Sequence, residues 1–155
     1  MRKINYIVVH CTDSRPDATI ESLKAHWRSL GWKAPGYHYV IMEDGKLYSL
    51  APEDEVVNGV KGYNQNSIHI AYMGGRKHDG TESCTLNNKQ QVTLYRELLY
   101  QQARYPQAKI VGHRDLSPDL DGNGVIESKE WIKRCPLFDV NTFVKSMKIT
   151  NHGKV

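Results

Sequence analysis

Residues 4 to 10 read Ile-Asn-Tyr-Ile-Val-Val-His, a run that is apolar at both odd and even positions and rich in β-branched side chains. A strand with one face in water alternates apolar and polar residues, whereas a strand covered on both faces is apolar throughout. This run therefore predicts a central strand of a sheet that is covered on both sides. His10 stands at its end.

Later segments provide the elements that would cover and extend such a sheet. Apolar residues from Ile20 to Leu30 recur at helical spacing between a capping Thr19 and a terminating Gly31, which predicts an amphipathic helix. The other predicted elements are a hairpin over 37–50 that turns at Asp44-Gly45, a strand over 67–73, a helix with Val92, Tyr95, Leu98 and Leu99 on its apolar face, a strand over 109–111, and a helix from Val140 to Met147. This order predicts an α/β fold with a mixed central sheet and helices packed against it.

The size and charge of the chain favour one ordinary globular domain. The 155 residues are 39% hydrophobic and contain no repeat or linker, so we expect a single domain over 1–148 and a flexible tail over 149–155. The net charge of +4 is not concentrated in any block, so nucleic acid is not an expected partner. We expect a monomer.

Neither a membrane anchor nor a disulfide framework is expected. No apolar stretch approaches the roughly 18 residues of a membrane-spanning helix, and the apolar start is too short for a secretory signal. We therefore expect synthesis in the cytoplasm without a signal peptide and no membrane partner. The cysteines, Cys11, Cys84 and Cys135, are odd in number and sparse, so at least one thiol is expected to have another role.

Three residues with the chemistry of zinc ligands stand where the predicted chain changes direction: His10, His113 and Cys135. Two imidazoles and one thiolate suit Zn²⁺, and three protein ligands leave a fourth tetrahedral position open for water. Their spacing is not a local motif, because only a fold can bring them together. Two surface histidines and a buried thiol are the alternative interpretation.

Five sequence blocks surround these residues. They are Ile-Val-Val-His10-Cys-Thr, Gly36-Tyr37-His38-Tyr39-Val40-Ile41, Lys61-Gly-Tyr-Asn-Gln-Asn-Ser-Ile68, Gly112-His113-Arg-Asp-Leu-Ser-Pro118 and Lys133-Arg-Cys135-Pro-Leu-Phe-Asp139. In this order they resemble the N-acetylmuramoyl-L-alanine amidases of the phage lysozyme and peptidoglycan recognition protein superfamily. The resemblance extends from about Ile4 to Met147.

The resemblance implies a zinc enzyme that cleaves the amide between N-acetylmuramic acid and L-alanine in peptidoglycan or muropeptides. It implies His10, His113 and Cys135 as zinc ligands, Tyr37 as a residue that orients water or moves a proton, and Lys133 as the cation that stabilises the oxyanion. An endolysin-type protein of this kind acts on the cell wall after lysis or another form of release. A catalytically silent peptidoglycan-binding module is the alternative, since members of the superfamily have lost the thiolate and kept the groove.

Two further histidines lie close to these blocks. His38 follows Tyr37, so its side chain would point to the opposite face of a strand, and we expect a hydrogen-bonded framework residue. His69 stands where related sequences usually carry glycine. We expect this departure to alter the packing or the substrate groove.

Residues 119–130 fit the twelve-residue calcium loop of an EF-hand, with glycine at its sixth position. The expected oxygen ligands are Asp119, Asp121, Asn123, the carbonyl of Val125, and Glu130. Pro118 argues against a full helix-loop-helix unit, so we expect a single inserted loop. Because the loop links His113 to Cys135, calcium would order part of the zinc site. A calcium-regulated interaction domain with incidental histidines is a third interpretation.

Overall fold

The sheet and helices expected from the sequence are present in the computed structural model, which describes residues 1–147; the predicted tail at 149–155 lies outside the described residues. The elements are β1 (Tyr6–Cys11), α1 (Ile20–Ser29), β2 (Tyr39–Ile41), β3 (Leu47–Ser49), β4 (Ser67–Tyr72), α2 (Asn88–Arg104), β5 (Lys109–Gly112) and α3 (Val140–Ser146), with short 3₁₀ turns at Asn64–Asn66, His113–Leu116 and Ser128–Glu130. No helix within residues 1–147 is both long and apolar enough to cross a membrane.

The strands of the described chain form a mixed sheet in the order β3-β2-β4-β1-β5. β1 pairs in parallel with both β4 and β5, β2 pairs in parallel with β4, and β3 is antiparallel to β2 across the predicted hairpin. Gly45 in that hairpin has φ of 87°, which glycine adopts without strain. The predicted α/β fold with a mixed central sheet is confirmed, although β1 begins at Tyr6 and not at residue 4.

Helices cover both faces of the sheet, as the composition of β1 requires. Ile7 and Val9 of β1 point into a core formed with α2 and α3, where Leu98 and Phe143 are buried. The opposite face packs against α1 through Trp27 and its neighbours. Alternate residues of a strand point to opposite faces, so His10 lies on the α1 side of the sheet.

The predicted apolar faces of α1 and α2 are partly wrong. Leu30 caps the end of α1 and is 51% exposed, and Val92 and Leu99 of α2 are 49% and 41% exposed. The buried side of α2 carries Gln90 and Gln101 in addition to leucines. The Gln90 amide donates hydrogen bonds to the carbonyls of Ile41 in β2 and Met73 after β4, so a polar side chain joins the helix to the sheet.

A buried carboxylate joins the edge of the sheet to α2. Glu53, in the loop after β3, accepts hydrogen bonds from the hydroxyls of Tyr39 at 2.9 Å and Tyr105 at 3.1 Å, and it also pairs with Gln101 and Arg104. Its side chain is only 8% exposed. Removing this carboxylate would leave several donors unpaired in a buried place.

We expect Glu53→Ala to lower the free energy of unfolding by about 2 to 4 kcal/mol, because it breaks a buried, charged hydrogen-bond network. The adjacent Asp54 is exposed, so Asp54→Ala is the matched control and should change stability by less than about 0.5 kcal/mol. Urea unfolding followed by circular dichroism measures both variants. Equal stability of the two variants would contradict the role given to Glu53.

Candidate metal centre and active-site cleft

The sheet topology brings the three predicted zinc ligands together. His10 lies near the end of β1 and His113 follows β5, and these parallel strands end at the same edge of the sheet. Cys135 reaches the same place after the loop that follows His113, and one ligand atom from each residue lies within 4.8 Å of the others. Sequence-distant residues therefore form a single cluster.

The distances within the cluster fit a tetrahedral zinc site. The Nδ1 atoms of His10 and His113 are 3.2 Å apart, and the Sγ of Cys135 lies 3.9 Å from Nδ1 of His10. Ordinary Zn–N and Zn–S bond lengths place tetrahedral ligand atoms about 3.3 Å apart for two nitrogens and about 3.6 Å apart for nitrogen and sulfur. The two imidazoles and the thiol are thus suitable in chemistry and in separation.

The histidines are held in the neutral form that binds metals. Burial lowers the pKa of His10 well below its usual range, and burial together with the charge of Lys133 lowers the pKa of His113 to about 4. A neutral imidazole keeps a lone pair available for a cation.

The thiol of Cys135 is held close to the last residue of β1. The backbone N–H of Cys11 donates a hydrogen bond to Sγ of Cys135 at 3.2 Å. Burial raises the pKa of the Cys135 thiol well above its usual range, and the neighbouring Cys11 thiol raises it further. A bound cation favours the thiolate, and the backbone N–H then supports its negative charge.

A chain of hydrogen bonds extends from His10 away from the metal cluster. Nε2 of His10 lies 2.9 Å from Nδ1 of His69, and the backbone N–H of His69 donates to Nδ1 of His38 at 3.0 Å. Nε2 of His38 in turn contacts the carbonyl of Glu55 at 2.9 Å. The framework role predicted for His38 is confirmed. His69 was expected to alter the packing or the groove, and its contact with His10 was not predicted.

Tyr37 and Lys133, the predicted catalytic residues, border the same cleft as the ligands. The Tyr37 hydroxyl donates to the carbonyl of Cys11 at 3.3 Å, and its ring lies 5.0 Å from the His10 ring. Burial raises the pKa of Tyr37 well above its usual range, so the phenol stays protonated and serves as a hydrogen-bond donor. Lys133 is exposed at the rim, two residues before Cys135.

The ligands lie in a cleft of about 750 Å³, a size suited to a small ligand or a segment of a polymer. Its lining includes residues of α1, of the segment after α1 and of the range 131–134. The lining includes Ser22, Leu23, His26, Trp27, Trp32, Asn58, Trp131 and Ile132.

Comparison with known proteins identifies the family. The family model of N-acetylmuramoyl-L-alanine amidases matches residues 1–125. The chain belongs to this family. The matched range includes His10, Tyr37 and His113 but ends before Lys133 and Cys135, so the placement of these last two residues in the cleft comes from the structure.

Relatives and solved structures agree with this assignment. An uncharacterized protein of Haemophilus influenzae is 43% identical over 108 residues, which are 70% of this chain and 93% of the relative. The endolysin of Enterobacteria phage K11 is 29% identical over 148 residues, or 94% of this chain and 89% of the endolysin.

Solved structures that share the fold include a phage endolysin and a bumblebee protein. The Ph2119 endolysin from the Thermus scotoductus MAT2119 bacteriophage has a TM-score of 0.72 at 23% identity, covering 99% of this chain and 88% of its own. Bumblebee PGRP-SA has a TM-score of 0.69 at 17% identity, covering 94% and 82%. The predicted superfamily, fold class and enzyme class, N-acetylmuramoyl-L-alanine amidase, are confirmed.

The carboxylates of the predicted calcium loop lie close together, and they form hydrogen bonds and an ion pair with other groups of the loop. Ligand oxygens of Asp119, Asp121 and Glu130 lie within 4.8 Å of one another. Glu130 accepts hydrogen bonds from the backbone N–H groups of Leu120, Asp121 and Glu127, and the Lys129 ammonium lies 2.9 Å from Asp121. Asn123 accepts from the N–H of Val125. In residues 1–147, no α-helix adjoins the loop, and its last residues form the short turn Ser128–Glu130. Calcium binding stays a prediction.

Direct contacts join the segments that precede and follow this loop. The hydroxyl of Ser117 accepts a hydrogen bond from the N–H of Ile132 at 3.0 Å, and the Arg114 guanidinium lies 4.0 Å from the centre of the Trp131 ring. The N–H of Arg114 also donates to the carbonyl of Cys135 at 3.0 Å. These contacts tie the segment that carries the third ligand to the segment that carries His113.

We expect millimolar calcium to raise the melting temperature, because it would neutralise the clustered carboxylates, and we expect Asp121→Ala to remove that shift. Lys129→Ala should enlarge the shift, because it removes an ammonium that competes for the same oxygens. Asp17→Ala, at an exposed carboxylate elsewhere, is the control. Thermal melts with calcium and with a chelator test this, and a wild-type melting temperature that does not respond would contradict the prediction.

Proposed function

We propose that this amidase is a zinc enzyme that hydrolyses the amide bond between the lactyl group of N-acetylmuramic acid and the L-alanine of the stem peptide. The observation that carries the proposal is the convergence of His10, His113 and Cys135 in a cleft bordered by Tyr37 and Lys133. Each residue type is suited to amide hydrolysis, and the separations fit the proposed metal.

The metal would be held by His10, His113 and Cys135. When bound, zinc supplies a Lewis acid that polarises a carbonyl and acidifies a water molecule. Side chains of the protein supply the remaining chemistry. The Lys133 ammonium can approach the oxygen on which negative charge develops, and this stabilisation increases towards the transition state.

Tyr37 would act as a donor and not as a base. Its phenol is protonated and lies beside the strand end that carries His10. Its oxygen can accept a hydrogen bond from a water molecule, and its O–H can leave the Cys11 carbonyl to donate to the substrate carbonyl. The raised pKa makes loss of its proton at neutral pH unfavourable.

The walls of the cleft suit an extended substrate with both apolar and polar groups. Trp32 and Trp131 offer aromatic surfaces, while Asn58 and Ser22 offer hydrogen-bonding groups. A glycopeptide presents sugar faces, peptide amides and alanine methyl groups, which such a lining can bind. We propose that the enzyme acts as a monomer in an endolysin-type role, on cell wall reached after lysis or other release, a role supported by its endolysin relatives.

Cys135→Ser is expected to weaken zinc binding and abolish hydrolysis, because a hydroxyl is a far poorer zinc ligand than a thiolate. Cys84→Ser, which changes an exposed thiol, is the control and should keep both properties. Metal analysis measures zinc content, and mass spectrometry of digested peptidoglycan detects free stem peptides that begin with L-alanine. Full activity of Cys135→Ser with full zinc content would overturn the ligand assignment.

The same assay separates the enzyme from a silent binding module. Wild-type protein that contains zinc, binds peptidoglycan and releases no stem peptide from sacculi or from soluble muropeptides would establish the binding module instead.

Lys133→Ala is expected to retain zinc and to lower the turnover rate by about two to three orders of magnitude, the usual effect of losing an oxyanion donor. Lys145→Ala removes an exposed lysine of α3 that does not line the cleft, so it serves as the control with normal turnover. Turnover is measured on soluble muropeptides, and circular dichroism checks the fold. An unfolded Lys133→Ala variant would show a structural lysine, and an unchanged rate would exclude the oxyanion role.

A further inference from the structure

We infer that His69 is a positioning residue for the zinc ligand His10: its Nδ1 accepts a hydrogen bond from Nε2–H of His10 and fixes the orientation of that ring. The inference rests on the proposed zinc site. It concerns a residue of β4 that is neither a proposed ligand nor a proposed catalytic residue.

The orientation of His10 determines which of its nitrogens carries the proton. Nδ1 faces the other two ligands, at 3.2 Å from His113 and 3.9 Å from Cys135. A metal bound at Nδ1 requires the proton on Nε2, and Nε2 lies 2.9 Å from Nδ1 of His69. Both imidazole side chains are buried, so water does not compete for this hydrogen bond.

The acceptor is itself held rigidly. His69 lies in β4, which pairs with β1 on one side and β2 on the other. Its backbone N–H donates to Nδ1 of His38, and the two rings are parallel with their centres 6.0 Å apart. His38 is anchored to the carbonyl of Glu55 and contacts the Arg2 guanidinium at 3.2 Å. An acceptor fixed in this way restricts rotation of the His10 ring.

The absence of a side chain at Gly59 leaves room for the His69 ring. A Cβ atom built on Gly59 would lie 2.2 Å from Nδ1 and 2.4 Å from Cγ of His69, closer than real contacts allow. Gly59 does not have a left-handed backbone, so its conformation alone does not call for glycine. The imidazole of His69, in β4, therefore occupies the space where a side chain of residue 59 would lie.

Packing alone does not account for this imidazole. Nε2 of His69 is buried and has no hydrogen-bond partner among the described residues, which costs stability. An apolar side chain of similar size would fill the same space without that cost. The hydrogen bond to the ligand is the interaction that an apolar residue cannot replace.

Two substitutions separate positioning from packing. His69→Leu fills the space but removes the acceptor, whereas the Oδ1 of His69→Asn can take the place of Nδ1. We expect His69→Leu to weaken zinc binding by about 10- to 100-fold, the range found when such supporting partners are lost, and His69→Asn to retain most of the affinity. Competition with a chromophoric chelator measures the zinc dissociation constant, and thermal melts of the metal-free proteins check the fold.

A direct measurement covers the case in which a variant fails to fold. In zinc-loaded, ¹⁵N-labelled wild-type protein, a scalar coupling should connect Nε2 of His10 with Nδ1 of His69 across the hydrogen bond. Absence of that coupling, or equal zinc affinity of wild type and folded His69→Leu, would overturn the inference. A wild-type protein that does not bind zinc at all would contradict the proposed function instead, so the two failures are distinguishable.

Discussion

The parallel pairing of β1 between β4 and β5 is the constraint on which the candidate site depends. It places the ends of β1 and β5 at one edge of the sheet, so that His10 and His113 meet although 103 positions separate them. It also places β4 beside β1, where His69 can reach the back of the His10 ring. The apolar residues that bury β1 on both faces therefore also fix the geometry of the ligands and exclude water from the hydrogen bonds behind them.

Elements with a strong local signal could be predicted from the sequence. The doubly buried β1, the Asp44-Gly45 hairpin and the capped helix α1 each contain their signal within a few residues. The buried face of α2 could not be predicted in the same way. Gln90 and Gln101 are buried because their amides find partners on distant segments, and a helical periodicity of apolar residues contains no information about such partners.

The candidate site likewise has residues that could be predicted from local sequence and a residue whose role depends on the assembled fold. The order of the sequence blocks predicted the proposed ligands and the two residues proposed for catalysis, because each block keeps its residues in a recognisable setting. The role of His69 depends on the register of β4 against β1 and on the space left by Gly59. Both are properties of the assembled sheet. The sequence predicted only an effect of position 69 on the packing or the groove, and the structure shows the contact with His10.

The contacts between Arg114 and Trp131 and between Ser117 and Ile132 close the base of the loop over 118–131. A closed base makes the loop a separate module, since changes in its length or composition need not move the segments on which it stands. In the evolution of such an enzyme, this is where residues can be gained or lost while the hydrolytic centre is conserved. For a protein engineer, it is a place to graft a foreign peptide beside a cleft without redesigning the cleft.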